Sequence, residues 1–319
     1  MNSNSQKSAQ KASKNSRKFA KVGEKFTKNA EKISPKNTKK LLVKKLKVAL
    51  VQMHAKPYEC AQNLQKALNL ARQGCEKGAR LVVLPELFDN GYCVSDKDRD
   101  FGIDFKKPHP TLQALCEFAK AQNAYIIACS IEKSGAKLYD TAFIVSPKGK
   151  IVGKHRKIYL WDTEKRRFER GKKYEIFRLN FGKFSVKLGL QICYELGFGE
   201  GARALALKGA ELLAYPSAFG KARAYNWDLL SRVRALENGC FVLACGLSGA
   251  CIDRVSSKNV EFAGNSRVVS PKGKIIKNAQ NDDECIVCEL DLSEIKAQRK
   301  ALPYLKDFDK KMIKRAFGN

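Results

Sequence analysis

Short apolar runs alternate with amphipathic segments along most of the chain. The apolar runs are rich in Val, Ile and Leu, and they predict strands at residues 47–53, 80–84, 125–131, 141–146, 185–193, 211–215, 241–245, 266–270, 274–276 and 285–290. Apolar residues at helical spacing predict helices over residues 59–78, 111–122, 200–208 and 226–238. Because strands alternate with helices and the Pro-Lys-Gly turns 147–149 and 271–273 join strand pairs, the pattern indicates a layered α/β domain.

The beginning of the chain has a different composition. Residues 1–47 contain fifteen Lys and Arg and two Glu, and the whole chain of 319 residues has a net charge of +29. Residues 1–15 have almost no large apolar side chain, so we expect a disordered, lysine-rich extension over residues 1–45. We predict one folded domain over residues 46–305 and a basic C-terminal tail over residues 306–319.

The basic extension favours weak contacts with polyanions. It has one helical pattern, the spacing of the apolar side chains Phe19, Val22, Phe26 and Ile33. An amphipathic helix of this kind could lie on an anionic membrane surface or bind a partner. The sequence contains no RRM, KH, helix-turn-helix or zinc pattern and therefore predicts no specific nucleic-acid binding. A protein that acts through this basic segment stays open as an alternative function.

Composition argues against several classes of protein. No apolar run approaches the roughly 20 residues of a membrane span, and no basic segment is followed by the apolar core of an export signal. We therefore expect a cytoplasmic protein whose eleven cysteines are reduced thiols. The chain has three histidines and no glycine-rich phosphate loop, which disfavours a multi-histidine metal site and a nucleotide-binding fold.

Three predicted strand ends carry side chains that could take part in catalysis. Glu86 follows the apolar run 81–84, where partial burial would raise the pKa of a carboxyl group towards that of a general base. Cys193 ends a predicted strand before a glycine-rich segment, as in a nucleophile elbow. Lys157 directly precedes an apolar segment, so its ammonium could turn inward. Each has a structural alternative: a strand-capping glutamate, a buried cysteine or a solvated basic face.

The order and spacing of these three features resemble the nitrilase, or carbon–nitrogen hydrolase, superfamily, which uses a Glu–Lys–Cys triad in this order. The similar segments are Pro85-Glu86-Leu87-Phe88 with Gly91-Tyr92, Lys157-Ile158-Tyr159-Leu160, Glu164 with Phe168 and Gly171, Cys193-Tyr194-Glu195, Gly209-Ala210-Glu211 through Tyr215-Pro216-Ser217, Arg234-Ala235-Leu236-Glu237-Asn238, and Gly264-Asn265-Ser266 with Pro271-Lys272-Gly273. Together these segments extend the resemblance over about residues 46–305.

The resemblance implies a fold, a reaction and a set of site residues. The fold would be an α-β-β-α sandwich of the nitrilase type, one catalytic domain that forms a homodimer or a higher homo-oligomer. Cys193 would attack a small linear amide or N-carbamoyl compound and form a thioester, while Glu86 takes the thiol proton. Lys157 and the backbone N–H of Tyr194 would hold the oxyanion, and Glu164 would orient Lys157 and the substrate. Such a reaction uses no metal and no cofactor.

Departures from the family pattern affect the expected substrate pocket. Gly197 and Gly199 stand where relatives often have arginine and proline, and Gly246 stands where they often have asparagine. The helix that contains Trp227 and residues 234–238 is similar to that of ω-amidase relatives. Nitrile cleavage by the same fold stays an alternative to amide hydrolysis, although nitriles are the substrates of a minority of the family.

Overall fold

The computed structural model describes residues 44–253, 257–280 and 282–318. The predicted disorder of the extension up to residue 43, and its apolar pattern, lie outside the described residues. The first strand begins at Lys45, and the carbonyl of Lys44 accepts a hydrogen bond from the N–H of Leu292. The last two residues of the predicted extension are therefore part of the folded structure.

Fourteen strands occur in the described residues, in two six-stranded sheets and one two-stranded ribbon. The first sheet contains β1 (Lys45–Gln52), β2 (Leu81–Val83), β3 (Tyr125–Ser134), β4 (Lys137–Val145), β5 (Ile151–Arg156) and β14 (Glu284–Asp291). The second contains β6 (Ile176–Asn180), β7 (Ser185–Leu190), β8 (Leu212–Ser217), β9 (Phe241–Gly246), β12 (Arg267–Val269) and β13 (Ile275–Asn278). The ribbon pairs β10 (Ala250–Ile252) with β11 (Asn259–Glu261).

Both large sheets have a parallel centre and antiparallel edges. The first has the order β14-β1-β2-β3-β4-β5, and β1, β2 and β3 are parallel. The second has the order β13-β12-β9-β8-β7-β6, and β7, β8 and β9 are parallel. Parallel neighbours place their carboxyl ends at one edge of a sheet, which is where loops can collect functional side chains.

Helices cover the outer face of each sheet. The described residues contain α1 (Cys60–Glu76), α2 (Asp98–Phe101), α3 (Pro110–Ala121), α4 (Glu164–Arg167), α5 (Gly199–Leu207), α6 (Ala224–Asn238), α7 (Ser293–Ala301), α8 (Tyr304–Asp307) and α9 (Lys310–Phe317). Apolar residues of α1 and α3 pack on the first sheet, and those of α5 and α6 pack on the second. The layers are thus α-β-β-α, which confirms the predicted fold class.

The alternation of side chains in β1 explains why this layered order forms. Leu46, Val48 and Leu50 belong to the apolar cluster that also contains strand residues of the second sheet, whereas Ala49 and Val51 belong to the cluster that contains residues of α1 and α3. A strand with apolar residues on both faces can be buried from both sides, as the near-continuous apolar pattern requires.

Several elements were missed by the sequence pattern, and one predicted strand ends early. The predicted strand 185–193 ends at Leu190, and Cys193 begins a 3-10 turn that ends at Gly197. Strands β5 and β6 contain charged residues, and β10 and β11 have three residues each, so their apolar periodicity is weak. The predicted basic tail 306–319 contains helix α9. Among the described residues, no helix has the length and apolar character needed to cross a bilayer.

Candidate active site

Glu86 lies just beyond the carboxyl end of β2, between the two sheets' edges. Its side chain is completely buried. One carboxylate oxygen, Oε2, accepts a hydrogen bond of 2.7 Å from the N–H of Ala218, which directly follows β8. The other oxygen, Oε1, lies 2.5 Å from Nζ of Lys157. Both oxygens are thus held, and the carboxylate links the edge of one sheet to the edge of the other.

Lys157 follows β5, and its side chain is also completely buried. Its N–H donates to the carbonyl of Asp140, which continues the pairing of β4 with β5 and turns the side chain into the interior. The ammonium contacts three carboxylates: Glu86 at 2.5 Å, Glu164 at 2.7 Å and Asp140 at 3.4 Å. The lysine is therefore a fixed, desolvated cation, and the alternative of a solvated basic face is wrong.

Glu164 is the first residue of α4 and is held from three sides. Its Oε1 accepts hydrogen bonds from Lys157 Nζ and, at 2.5 Å, from the hydroxyl of Tyr92. Its Oε2 accepts a hydrogen bond of 2.8 Å from the N–H of Trp161. Since three donors hold this carboxylate in place, it suits a role in positioning Lys157.

Cys193 lies at a sharp turn after β7. Its φ of 45° is in the left-handed region, which costs a non-glycine residue about 1–3 kcal/mol and is typical of functional turns. The side chain of Cys193 is 5 % exposed and forms part of a cavity wall. Tyr194 follows at the start of the 3-10 turn, where backbone N–H groups have no partner within the turn. This geometry is that of a nucleophile elbow.

Glu195 fixes this turn, although sequence reasoning gave it no role. Its Oε2 accepts a hydrogen bond of 2.8 Å from the N–H of Ile192 and lies 2.8 Å from Nε2 of His155. Its Oε1 accepts a hydrogen bond of 3.1 Å from the N–H of Ile158. One buried carboxylate thus ties the cysteine turn to the segment that carries the lysine.

The charges at this site determine its protonation. Burial raises the pKa of the Glu86 carboxyl well above its usual range, because desolvation and the nearby Asp140 and Glu164 outweigh the Lys157 ammonium. Burial alone would lower the pKa of Lys157, but the three carboxylates raise it, so the ammonium is retained. Burial and the Glu86 charge raise the pKa of the Cys193 thiol. The resting thiol is therefore neutral and needs a base.

Asp140 is the member of this cluster that sequence reasoning missed. It is completely buried on β4, and its Oδ1 accepts a hydrogen bond of 3.1 Å from the thiol of Cys129. Oxygens of Glu86, Asp140 and Glu164 lie within 4.8 Å of one another, a spacing that could suit a cation. The Lys157 ammonium contacts all three carboxylates and supplies that positive charge.

A cavity of about 290 Å³ opens beside the cysteine. Its lining includes Cys193 and the uncharged side chains of Tyr194, Tyr92, Trp161, Ala218 and Phe219. The charged side chains in the lining are Arg167, Arg223, Lys258, Asp162 and Asp253. Glu86, Lys157 and Glu164 lie behind this wall, out of contact with solvent. The structure therefore brings together all five residues predicted from the sequence and places a small-molecule cavity against the cysteine.

Comparisons with known proteins show the family of this chain. The carbon–nitrogen hydrolase family model matches residues 47–300. A nitrilase of Pyrococcus abyssi is 37% identical over 258 residues, which cover 80% of this chain and 93% of the relative. The omega-amidase NIT3 of Saccharomyces cerevisiae is 33% identical over 284 residues, 84% of this chain and 94% of the relative.

Solved structures show the same relationship. The crystal structure of Saccharomyces cerevisiae Nit3, a member of the nitrilase superfamily, superposes with a TM-score of 0.73 and covers 84% of this chain and 96% of that one. A carbon–nitrogen hydrolase from Helicobacter pylori superposes with a TM-score of 0.78 at 27% sequence identity, and the match covers 86% of this chain and 99% of that one. The chain belongs to the carbon–nitrogen hydrolase family, within the nitrilase superfamily, and is an enzyme that hydrolyses carbon–nitrogen bonds.

Proposed function

We propose that this enzyme hydrolyses small linear amides through a thioester on Cys193, with Glu86 as general base and Lys157 as the fixed cation at the oxyanion. The observation that carries the proposal is the contact of Lys157 Nζ with both Glu86 and Glu164, in a water-excluded space behind a strained cysteine. The thiol of Cys193, the Glu86 carboxylate with its raised pKa and the Lys157 ammonium supply a nucleophile, a base and a cation for the oxyanion.

In the first step, Cys193 Sγ attacks the carbonyl carbon of the amide while Glu86 takes the thiol proton. A C–S bond forms, and the carbonyl π electrons move to oxygen. The Lys157 ammonium and the N–H of Tyr194 stabilise this oxyanion, and one fixed donor of this kind typically contributes about 3–4 kcal/mol. Glu164 keeps Lys157 in place through the contact of 2.7 Å.

In the second step, the oxyanion collapses and the C–N bond breaks. Glu86 transfers its proton to the leaving nitrogen, so ammonia or an amine departs and the acyl group stays on Cys193 as a thioester. Water then attacks the thioester carbonyl, and Glu86 takes a proton from that water. The C–S bond breaks, Glu86 returns its proton to the sulfur of Cys193, and the carboxylic acid product leaves. Glu86 thus serves as base, acid, base and acid in turn.

Three basic and two acidic side chains line the cavity, and this balance supports an amide whose other end is negatively charged. Arg223 and Lys258 line the cavity, and the guanidinium of Arg223 lies over the ring of Trp161, 4.7 Å from its centroid. Arginine and lysine side chains bind carboxylates. The similar yeast protein is an omega-amidase by name. We therefore place ω-amides of dicarboxylic acids first, N-carbamoyl compounds and simple amides second, and nitriles third.

An ammonia-release assay over these four substrate groups tests the proposal. Wild-type enzyme should act best on the ω-amides, and Arg223→Met should raise KM for them about tenfold while leaving neutral amides within twofold. Arg178→Met is a matched control, because Arg178 is an exposed arginine on β6 that bonds Ser185 outside the cavity. Faster turnover of neutral amides or nitriles, with no effect of Arg223→Met, would reject the carboxylate-bearing substrate.

We also propose that the enzyme is a homodimer or a higher homo-oligomer. Four apolar side chains at helical spacing along one side of α6 are exposed to between 39% and 66%: Tyr225, Leu229, Val233 and Leu236. An exposed apolar stripe of this size is typical of an interface, and a second copy of the same helix would match it by symmetry.

We propose that residues 1–45 bind anionic surfaces weakly, as their excess of lysine predicts. We also propose that the enzyme acts in the cytoplasm. A reducing compartment would suit a reaction that depends on a free thiol at Cys193.

A further inference from the structure

A buried histidine and a buried glutamate meet behind the cysteine turn, and the proposed reaction uses neither as an acid or a base. His155 is 4 % exposed, and Glu195 is completely buried. Nε2 of His155 lies 2.8 Å from Oε2 of Glu195, and the imidazole N–H is the donor because a carboxylate only accepts. Both residues belong to the described part of the chain and lie outside the lining of the cavity. Neither is therefore placed to touch a substrate in it.

The pair joins the two chain segments that carry the proposed oxyanion donors. His155 is on β5, where side chains alternate, so it lies on the same side of the chain as Lys157, two residues later. Glu195 directly follows Tyr194 in the 3-10 turn. Its Oε1 also accepts a hydrogen bond of 3.1 Å from the N–H of Ile158, the residue after the lysine. The contact between the histidine and the glutamate thus connects the lysine segment to the turn that holds the Tyr194 N–H.

Neighbouring groups hold the pair in one geometry. The ring of Tyr174 stacks on that of His155, with centroids 5.8 Å apart and an angle of 18° between the planes. The hydroxyl of Tyr174 lies 3.5 Å from Oε1 of Glu195, and the N–H of Ile192 donates to Oε2 at 2.8 Å. A Cβ on Gly201 would lie 2.7 Å from the Tyr174 hydroxyl oxygen, so this helix residue has no room for a side chain. Packing and hydrogen bonds therefore leave the carboxylate little freedom to move.

We propose that His155 and Glu195 are a positioning pair that fixes the separation between the Lys157 ammonium and the N–H of Tyr194. The inference rests on the proposed function, because it concerns the oxyanion of that reaction. Preorganised donors stabilise an oxyanion when they already point to the place where its charge develops. Without the bond between His155 and Glu195, the turn and the lysine segment can move apart. A displacement of about 1 Å at a catalytic group can lower a rate about a hundredfold.

Reactions of Cys193 that form an oxyanion should depend on the pair, and reactions that form none should not. Succinic semialdehyde has the chain length and carboxylate of the ω-amide of succinic acid, with an aldehyde in place of the amide. When Cys193 Sγ adds to its aldehyde carbon, a C–S bond forms, the carbonyl π electrons move to oxygen and Glu86 takes the thiol proton. Alkylation of the same sulfur by iodoacetamide displaces iodide from a CH2 group and places no negative charge on the carbonyl oxygen.

Three readouts on the full-length chain test the pair: amide kcat and KM, affinity for succinic semialdehyde, and the rate of Cys193 alkylation followed by mass spectrometry. His155→Phe keeps a ring beside Tyr174 and removes the N–H donor. It should lower kcat and the aldehyde affinity about a hundredfold each, and change KM and the alkylation rate less than about threefold. His155→Gln can still donate to Glu195 and should recover about a tenth or more of the wild-type kcat. His109→Phe is the control, because His109 caps α3 through the N–H of Thr111, and all readouts should stay within about twofold.

A double variant shows whether the two residues act together. Glu195→Gln breaks the same contact, so His155→Phe/Glu195→Gln should lose about as much kcat as the worse single variant, rather than the product of both losses. Should His155→Phe fail to fold, Glu195→Gln carries the same three readouts. Equal losses in turnover, aldehyde affinity and alkylation, or an unchanged aldehyde affinity, would overturn the proposal. Aldehyde binding at Cys193 without amide hydrolysis in the wild type would instead reject the proposed function, and the aldehyde affinities of the variants would still decide the role of the pair.

Discussion

Lys157 and Glu86 form a buried ion pair, with Nζ and Oε1 2.5 Å apart and neither side chain exposed. A pair of this kind gains little stability as a whole, but removal of one partner leaves a desolvated charge. Lys157 contacts three carboxylates, whereas Glu86 contacts one cation, so the two positions are not equivalent. The ion pair therefore predicts different stability losses from the two substitutions.

Lys157→Met should lower amide turnover about a hundredfold or more, through loss of oxyanion stabilisation, and should also destabilise the fold by about 3–5 kcal/mol. Glu86→Gln should lower turnover by at least a similar factor through loss of the base, with a smaller loss of stability, because Glu164 and Asp140 still neutralise the lysine. Urea denaturation and ammonia release measure the two effects. Equal stability of the two variants would contradict this account of the ion pair.

Cys193→Ala should abolish ammonia release and leave the fold intact, because it removes the nucleophile and little volume. Cys60→Ala serves as the control, since Cys60 is a free thiol on α1 outside the cavity. Its rate should stay within about twofold of wild type, as expected for a site without transition-state contacts. Residual turnover of a tenth in Cys193→Ala would show that another group is the nucleophile.

On the acid side of the pH profile, the midpoint of the fall in kcat/KM should lie clearly above 4.5, the usual pKa of a glutamate carboxyl group. The reason is that burial raises the pKa of Glu86. The sign follows from the role of a base: Glu86 must be deprotonated in the free enzyme, so kcat/KM rises as the pH passes upward through its pKa. Asp140→Asn removes a negative charge that raises this pKa, and should move the limb to lower pH. A shift to higher pH in this variant would remove Glu86 as the titrating group.

Leu229→Asp should dissociate the proposed oligomer, because it places a charge in the middle of the exposed apolar stripe on α6. Sedimentation velocity measures the change in mass. Lys296→Asp on α7 provides a charge-changing control outside the stripe. The proposed interface would be wrong if Leu229→Asp sedimented as the wild type does.

Removal of residues 1–43 should change kcat on a small amide by less than about threefold, since electrostatic attachment to a surface does not alter the chemical barrier. Binding to anionic vesicles should weaken and lose most of its dependence on salt. The cut leaves Lys45, whose ammonium pairs with Glu289 at 2.7 Å. Aggregation or loss of activity would show that the removed segment supports the catalytic domain.

Much of the fold follows from the sequence, because its main signals are local. Apolar runs with Val, Ile and Leu on both faces predict strands buried between two layers, and β1 has this arrangement. Edge strands such as β5 gave no such signal, because their polar side chains resemble those of a loop. The ribbon of β10 and β11 has three-residue strands, too short for any periodicity.

The sequence by itself determined the order of Glu86, Lys157 and Cys193 and the strand ends on which they lie. Only the tertiary structure decided that Glu86 and Lys157, 71 residues apart, form a contact, because their side chains meet where the carboxyl ends of β2 and β5 share one edge of a sheet. Asp140 had no signal of its own, because burial of a charged side chain depends on partners that arrive from other strands.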